Sequence, residues 1–499
     1  MGGVSGQRRF GGLLRQRSFR LLWTGETISQ LGNAMALVGV PLVAVTVLHA
    51  STFAVGVLAA AAWLPWLVIG LPAGAWVDRW PARRVMIVCD VISAALYASV
   101  PIAAWAGVLT TGLLVAVQLA GGAASVLFMT AYQVYLPSIV TSGELIEGNT
   151  KMQGSASAAA FAGPSLAGLV AQLLGAVTAL LGNAVSFLVS AACLRGTRAR
   201  PSRGAAGARP ASVRLTVVRP AVVRPASVRL PAVRPPAARS PAVRPATVLP
   251  TTVLPTTVLP TAGRRTTLRR EIADGLMFVL RDPFLRQLST FWAAANLALT
   301  GYAALLVVFL VREIGLTPGS VGLLTAIPGL GGILGAVLTG RITARYGTAR
   351  GLVLSTLCAV PFCLLIPLTG PGPRLAFYVA GALVAWTGIA LGNIVIAAFR
   401  QSYSPPGMCG RVTATMRFLI FGTSPLGALL GGSLGTWLGV RPALWVLLGA
   451  VTLSGTLLLT PSLRGRRDLP AAPPQASRAG AGAPAPAAPR PDQGRGRRA

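Results

Sequence analysis

The chain has 499 residues, of which 53% are hydrophobic and only 11% are charged, and its mean hydropathy is +0.67. Soluble domains carry about 25% charged residues, so this composition excludes an ordinary water-soluble protein and indicates a chain that folds in lipid. The net charge of +33 could suit a nucleic acid, but the arginines lie in the tails, a middle tract and short loops. Because no folded basic surface is indicated, we expect no nucleic-acid partner.

Apolar stretches long enough to cross a bilayer recur along the chain. A helix rises about 1.5 Å per residue, so about 20 apolar residues span a hydrocarbon core of about 30 Å. Backbone groups in lipid must bond to one another, and runs of this length favour helices over barrel strands. We therefore predict an all-α membrane protein with twelve spans in two six-helix bundles. The predicted spans are residues 20–48, 53–77, 85–106, 110–135, 152–174, 176–195, 287–311, 320–341, 349–369, 374–399, 411–437 and 440–461.

A tract between the two sets of spans can neither pack nor cross a bilayer. From Arg209 to Arg244 an arginine recurs every fifth residue, and proline usually follows it. Proline excludes a regular helix, so we predict an extended linker. The tract is either a tolerated repeat expansion or a segment whose guanidinium groups contact anionic lipid headgroups.

These features divide the chain into five parts. An amphipathic helix is predicted at 268–280, just before the seventh span. The parts are a cytoplasmic N-terminal tail (1–19), a first bundle (20–195), a disordered cytoplasmic linker (196–267), a second bundle with its amphipathic helix (268–463) and a disordered cytoplasmic tail (464–499).

The distribution of arginine predicts the orientation. Basic residues in short loops are retained on the cytoplasmic side. The loops after the second and eighth spans are rich in arginine, whereas the alternate loops are nearly bare. The pattern predicts that both termini are cytoplasmic.

Enzymatic and metal chemistry find no support in the sequence. The five cysteines form no CxxC motif, and His49 is the only histidine. No Walker motif and no nucleophile with an adjacent base is present. We expect no cofactor, no metal and no catalytic site.

The loop between the second and third spans carries the most specific motif. It reads GAWVDRWPARR from Gly74 to Arg84, and it resembles the signature loop of the major facilitator superfamily, approximately GxxxD(R/K)xGxRR. Pro81 and Ala82 depart from that pattern. A similar loop follows 266 residues later, where Gly340 matches Gly74 but Ala344 replaces the aspartate. This repeat predicts two related halves with a substrate site between them near the bilayer midplane.

Other stretches are similar to the bacterial drug and siderophore exporters of this superfamily, such as enterobactin exporters and macrolide efflux proteins. They include residues 19–25, 163–168 and 424–428, and the resemblance covers about residues 19–463 without the linker. It implies a bacterial cell-membrane location and a cytoplasmic gate latched by Asp78 and Arg79 in the outward-facing state. Gly163 and Pro164 resemble an antiporter motif, and Pro425 lies at the corresponding place in the eleventh span. The remaining gate candidates are Gly74, Arg83, Arg84, Arg345 and Arg350.

Ionisable groups within spans are costly and therefore indicate function. Glu26 shares one helical face with Gln30 and Asn33. It is predicted as a proton carrier or cation contact, with a purely structural carboxylate as the alternative. Asp90 lies six residues beyond Arg84 and is expected to brace the gate arginines. The other candidates for a substrate pocket are Gln118, Tyr132 and Asn296.

Together these features predict a secondary active exporter of a small amphipathic compound, such as a drug, an antibiotic or a siderophore-like metabolite. We expect proton antiport with alternating access by a monomer, with protons, the substrate and membrane lipids as its partners. Two alternatives remain open. One is a proton-coupled importer of a small metabolite, and the other is a non-transporting membrane protein that anchors a partner.

Overall fold

The computed structural model describes residues 12–70, 72–77, 79–141, 144–197, 277–403, 409–459 and 466–470. Most residues in these ranges are helical and none lies in a strand, which confirms the predicted all-α fold. The Arg/Pro-rich tract lies outside them. Of the predicted amphipathic helix at 268–280, only residues 277–280 are described, and they are helical.

The first half contains six long helices, and a short helix, Ala73–Val77, follows the second of them. The long helices are α1 (Arg17–Thr46), α2 (Thr52–Val68), α3 (Ala82–Trp105), α4 (Thr111–Ile139), α5 (Leu145–Leu174) and α6 (Ala176–Gly196). The second half repeats the arrangement. Its helices are α7 (Pro283–Glu313), α8 (Pro318–Tyr346), α9 (Thr348–Leu368), α10 (Leu375–Tyr403), α11 (Cys409–Trp437) and α12 (Val440–Leu459).

Eleven of these described helices are long and apolar enough to cross a membrane, and α2 is shorter. The second span was predicted to run to residue 77, but α2 ends at Val68. Gly70 and Pro72 follow within four residues, and proline has no N–H with which to continue the ladder. Helix α7 ends in a π-helical turn at Phe309–Glu313, and α9 passes from α through π to 3-10 geometry near Pro361.

Within the first bundle, small residues allow α1 and α6 to approach closely. A Cβ at Gly25 would lie 2.9 Å from Cβ of Cys193, and one at Gly32 would lie 2.6 Å from Oδ1 of Asn183. Lipid offers no hydrophobic drive between helices, so close packing of this kind must hold them together. The buried apolar core runs along these contacts and their counterparts in the second half.

The two bundles meet along two symmetric helix pairs, α2 with α11 and α5 with α8. A Cβ at Gly56 would lie 2.8 Å from both the Ala428 carbonyl oxygen and Cα of Gly432. In the other pair, a Cβ at Gly322 would meet the Pro164 carbonyl oxygen and Cα of Gly168. Backbone therefore packs directly against backbone at both contacts.

These contacts correct one predicted correspondence. The residue of α11 that occupies the place of Pro164 is Ala428, because its carbonyl faces Gly56 as that of Pro164 faces Gly322. Pro425 lies three residues earlier, nearly one turn away. Motif similarity placed it in the right helix but not in the matching contact.

The repeat of 266 residues extends to the ends of α1 and α7. Ala50 donates its N–H to the Ala44 carbonyl (2.8 Å), and Leu316 donates to the Leu310 carbonyl (3.0 Å). The residues before these donors, His49 and Gly315, both have positive φ, at 48° and 75°. Glycine adopts this conformation freely, whereas histidine does so at a cost.

We call the side that carries the arginine-rich loops after α2 and α8 the basic face, and the other side the opposite face. Gly154 lies about four turns from Gly168 in α5, and Gly340 lies five turns from Gly322 in α8, so each pair shares one helix face. Near the opposite face, Gly168 and Gly322 touch. Near the basic face, a Cβ at Gly154 or Gly340 would meet no described atom of another helix within 4 Å. Among the described residues, the bundles thus touch near the opposite face and lie apart at these positions near the basic face.

Candidate transport site

Glu26 lies inside the first bundle, about 14 Å along α1 from the basic face at 1.5 Å per residue. Its side chain is buried, and its Oε1 accepts a hydrogen bond from Gln30 at 2.7 Å. The predicted pairing of these residues on one helix face is therefore seen. Asn33, the third member, is exposed. The other carboxylate oxygen of Glu26 is buried and has no hydrogen-bond partner among the described residues.

Asp90 stands at a similar depth in α3 and is 1% exposed. Its carboxylate lies beside Ser190 of α6 and is close enough to Glu26 for their charges to interact. Its Oδ2, like one oxygen of Glu26, is buried and unpaired within the described part of the chain. Tyr132 of α4 also lies near Glu26. Asp90 therefore belongs to this carboxylate pair, rather than bracing the gate arginines as predicted.

Two neighbouring buried carboxylates that lack a cationic partner are unstable when both are ionised. An uncompensated buried charge costs several kcal/mol, so such groups hold protons or bind a cation. Arg84, the described cation nearest in sequence to Asp90, is exposed, and Arg83 is engaged elsewhere. Its guanidinium donates to the Leu194 carbonyl at 2.8 Å and to the Arg195 carbonyl, which caps the C-terminus of α6. The pair is thus suited to taking up and releasing protons.

The described residues of the first gate loop, which follows α2, show no packing against the second bundle. Arg79 and Arg84 are exposed, and a Cβ at Gly74 would meet no described neighbour within 4 Å. Asp78, the acidic member of the motif, lies outside the described residues. This loop stands at the face where the bundles are separated, so its predicted latching role in the other state stays a prediction.

An acidic residue from a distant part of the chain binds directly after the second gate loop, which follows α8. Asp468 accepts hydrogen bonds from the backbone N–H (2.8 Å) and hydroxyl (3.3 Å) of Thr348. The carbonyl of Arg467 accepts from the N–H groups of Ala349 and Arg350. Residues 466–470 belong to the predicted tail, yet they cap the start of α9 directly after this loop. Arg345 is exposed and lies over the ring of Tyr346.

The remaining pocket candidates take part in helix–helix contacts. Gln118 accepts a hydrogen bond from Tyr97 at 3.1 Å within the first bundle. Asn296 donates to the Ile420 carbonyl and to the Ser424 hydroxyl, both at 2.8 Å, which ties α7 to α11 beside Pro425. Gly163 lies against Ala34 of α1. These residues hold helices together within each bundle. None of them adds an ionisable group to the carboxylate pair.

Ser190 is a site residue that the sequence analysis missed. It lies four residues after Ser186 in α6, on the face that packs against α1. Serines four residues apart in an apolar helix lie on one side, which is the signal that could have identified it. Its meeting with Asp90 depends on how α3 and α6 are rotated about their axes, and neither helix determines that alone.

Two family models match most of the chain. One, described as "Transmembrane secretion effector", matches residues 12–207, and another, described as "Major Facilitator Superfamily", matches residues 288–493. The multidrug efflux pump Tap of Mycolicibacterium fortuitum is 26% identical over 445 residues, which cover 87% of this chain and 93% of that protein. The Tap pump of Mycobacterium tuberculosis H37Rv is 32% identical over 142 residues, covering 27% and 33%.

Solved structures of similar fold include transporters of low sequence identity. The nucleoside transporter NupG aligns with a TM-score of 0.63 at 11% identity, over 88% of this chain and 98% of that one. A bacterial homologue of the human lysosomal transporter Spinster, in an inward-facing and unoccupied conformation, aligns with a TM-score of 0.62 at 12% identity, over 91% and 97%.

Twelve helices in two repeated bundles, with a carboxylate pair buried inside one of them, define a multi-pass membrane transporter rather than an enzyme. The chain belongs to the major facilitator superfamily.

Proposed function

We propose that this protein is a secondary active exporter that moves small amphipathic compounds out of the cell in exchange for protons. The likeness to the Tap multidrug efflux pumps supports the export of amphipathic compounds, with drugs, antibiotics and siderophore-like metabolites as the candidate cargoes. The observation that carries proton exchange is the buried pair Glu26 and Asp90, each with one oxygen that has no hydrogen-bond partner among the described residues.

The proposed cycle uses the separation of the bundles at the basic face. We assign this face to the cytoplasm, because short arginine-rich loops are retained there. In the present state Glu26 and Asp90 release protons towards the cytoplasm as substrate enters the gap. The bundles then rock about the α2–α11 and α5–α8 contacts and open the opposite face, where protons re-enter and substrate leaves. Asp78 and Arg79 hold the basic face closed in that second state.

Transport of ethidium, a fluorescent amphipathic cation, tests this proposal in everted membrane vesicles. An imposed pH gradient, acidic inside, should drive ethidium uptake by vesicles containing the wild-type protein. Glu26→Gln and Asp90→Asn should lose the gradient-driven uptake, because an amide cannot carry the proton. They should retain ethidium exchange down its own gradient, because the gap between the bundles is intact.

Glu147→Gln is the matched control. Glu147 is a carboxylate of the same bundle, but it pairs with Lys151 at 3.6 Å near the basic end of α5. This variant should keep pH-driven uptake. If Glu26→Gln and Asp90→Asn also keep it, then proton coupling does not use this pair. If wild-type vesicles take up no ethidium under any gradient, export of amphipathic cations is excluded.

The orientation has its own test. Reporter domains fused after residues 197 and 470 should both be active in the cytoplasm. Activity of either one on the outside would contradict the assignment of the basic face.

A further inference from the structure

One hydrogen bond joins the two bundles at the opposite face through a charged side chain. Arg312, in the π-helical turn that ends α7, donates from Nη2 to the carbonyl oxygen of Ala50 at 2.6 Å. Ala50 lies in the connection between α1 and α2, so the bond crosses from the second bundle to the first. A hydrogen bond from a charged donor is about twice as strong as a neutral one.

The backbone next to Arg312 is held in place by contacts within the second bundle. Glu313, the next residue, accepts from the backbone N–H (3.1 Å) and Nε (3.2 Å) of Arg441 at the start of α12. Arg441 also donates to the Thr369 carbonyl (3.2 Å), and its guanidinium lies 5.4 Å from the ring centroid of Phe309. The ends of α7, α9 and α12 are thus linked directly around Arg312. Little backbone freedom at Arg312 therefore remains to be lost when its bond to Ala50 forms.

The acceptor is equally fixed. His49 takes a left-handed conformation with φ of 48°, which turns the chain back so that Ala50 bonds to Ala44. Ala50 is buried at 6% exposure. Its carbonyl oxygen therefore points to one place, and Arg312 is the described side chain that donates to it.

The bond has no symmetric counterpart among the described residues. Under the repeat of 266 residues, the position of Arg312 in the first bundle is held by Thr46. The hydroxyl of Thr46 donates to the Leu42 carbonyl of its own helix at 2.8 Å. A single arginine therefore supplies this link, although the helix pairs around it are duplicated.

We propose that Arg312 is a latch that stabilises the state closed at the opposite face and sets its population against the state open there. This role rests on the alternating access proposed above. The bond between Arg312 and Ala50 must break when the bundles separate at this face, whereas the bonds between Glu313 and Arg441 stay within one bundle. Loss of the Arg312 bond thus penalises one state only. Arg312 is a positioning residue, since it acts on the balance between the two states through its bond to Ala50.

Spin-label distance measurements test the latch in the full chain. Labels at Val108→Cys and Leu438→Cys, both exposed at the opposite face, report the bundle separation in a protein whose five native cysteines are replaced by alanine. Arg312→Met keeps the apolar stem and removes the donors. We expect Arg312→Met to raise the ratio of long to short distances about tenfold. This change corresponds to a loss of about 1.4 kcal/mol of stabilisation of the state closed at the opposite face.

Two further variants make the result specific. Arg312→Lys retains a charged donor and should restore part of the wild-type ratio. Arg374→Met removes another exposed arginine at the same face of the same bundle, one with no hydrogen bond to the first bundle in the described structure, and should leave the ratio unchanged.

A wild-type distance distribution in Arg312→Met would overturn the latch, and so would a loss of thermal stability without a change in the ratio. An equal shift in Arg374→Met would also overturn it, because a general charge effect would then explain both. Failure of the proposed function would look different. In that case Arg312 would still control the two distances, but wild-type vesicles would not transport ethidium.

Discussion

The close approach of α5 and α8 makes Gly168→Ala the sharpest test of how the opposite face closes. The new Cβ would lie 2.5 Å from the Pro318 carbonyl oxygen and 2.7 Å from Cα of Gly322. Ordinary contacts between carbon atoms are about 3.5–4.0 Å, so the helices must separate by about 1 Å. Overpacking of this kind costs about 1–3 kcal/mol, which corresponds to a shift of about 5- to 150-fold away from the closed state.

The matched control lies in the same helix. A Cβ at Gly154 meets no described atom of another helix within 4 Å. Both substitutions gain the same intrinsic helix propensity of about 1 kcal/mol, and that gain applies in either state of the transporter. Only Gly168→Ala should therefore change the balance between states, and Gly322→Ala against Gly340→Ala repeats the comparison in α8.

Spin labels at Val108→Cys and Leu438→Cys provide the assay. Gly168→Ala should move the distance distribution towards longer separations at the opposite face, and Gly154→Ala should resemble the wild type. Thermal unfolding of each variant separates a shift between states from a general loss of stability. Equal distributions for Gly168→Ala and Gly154→Ala would refute the reasoning, because backbone contact at Gly168 would then not determine closure.

Local backbone geometry gives further predictions. His49→Gly should stabilise the protein by about 1 kcal/mol, since it removes the cost of a left-handed histidine. Gly315→Ala at the repeated position should destabilise the protein by a similar amount. Thermal unfolding in detergent measures both effects, and shifts of the same sign would contradict the explanation. Asp468→Ala should cost about 1 kcal/mol and increase hydrogen exchange at Thr348, as for loss of a capping side chain. Asp468→Asn keeps the acceptor and is its control, so equal exchange in the two variants would show that the cap contributes nothing.

Much of the fold follows from sequence because helix formation in lipid is a local property. Each span must satisfy its own backbone, so length and hydropathy were enough to predict two sets of six helices. Helix ends were less predictable. α2 stops at Val68 because of Gly70 and Pro72, a signal that was present in the sequence but outweighed by the apolar residues beyond it.

Part of the candidate site was also local. Glu26 and Gln30 are four residues apart in one helix, so their contact follows from helical geometry alone. Asp90 was assigned to the gate because Arg84 is close in sequence. The structure instead places its carboxylate with Ser190, one hundred residues away, and near Glu26.

The sequence by itself determined the membrane-spanning helices, the repeat of 266 residues and the polar face of α1, because each depends on residues within one helix or on a comparison of two segments. Only the tertiary structure decided which face is closed, which carbonyl Arg312 meets, and that Ala428 rather than Pro425 matches Pro164. Those contacts depend on the depth and rotation at which separate helices pack. In a membrane protein the depth and rotation of each helix are set by small residues and single hydrogen bonds, and hydropathy does not encode them.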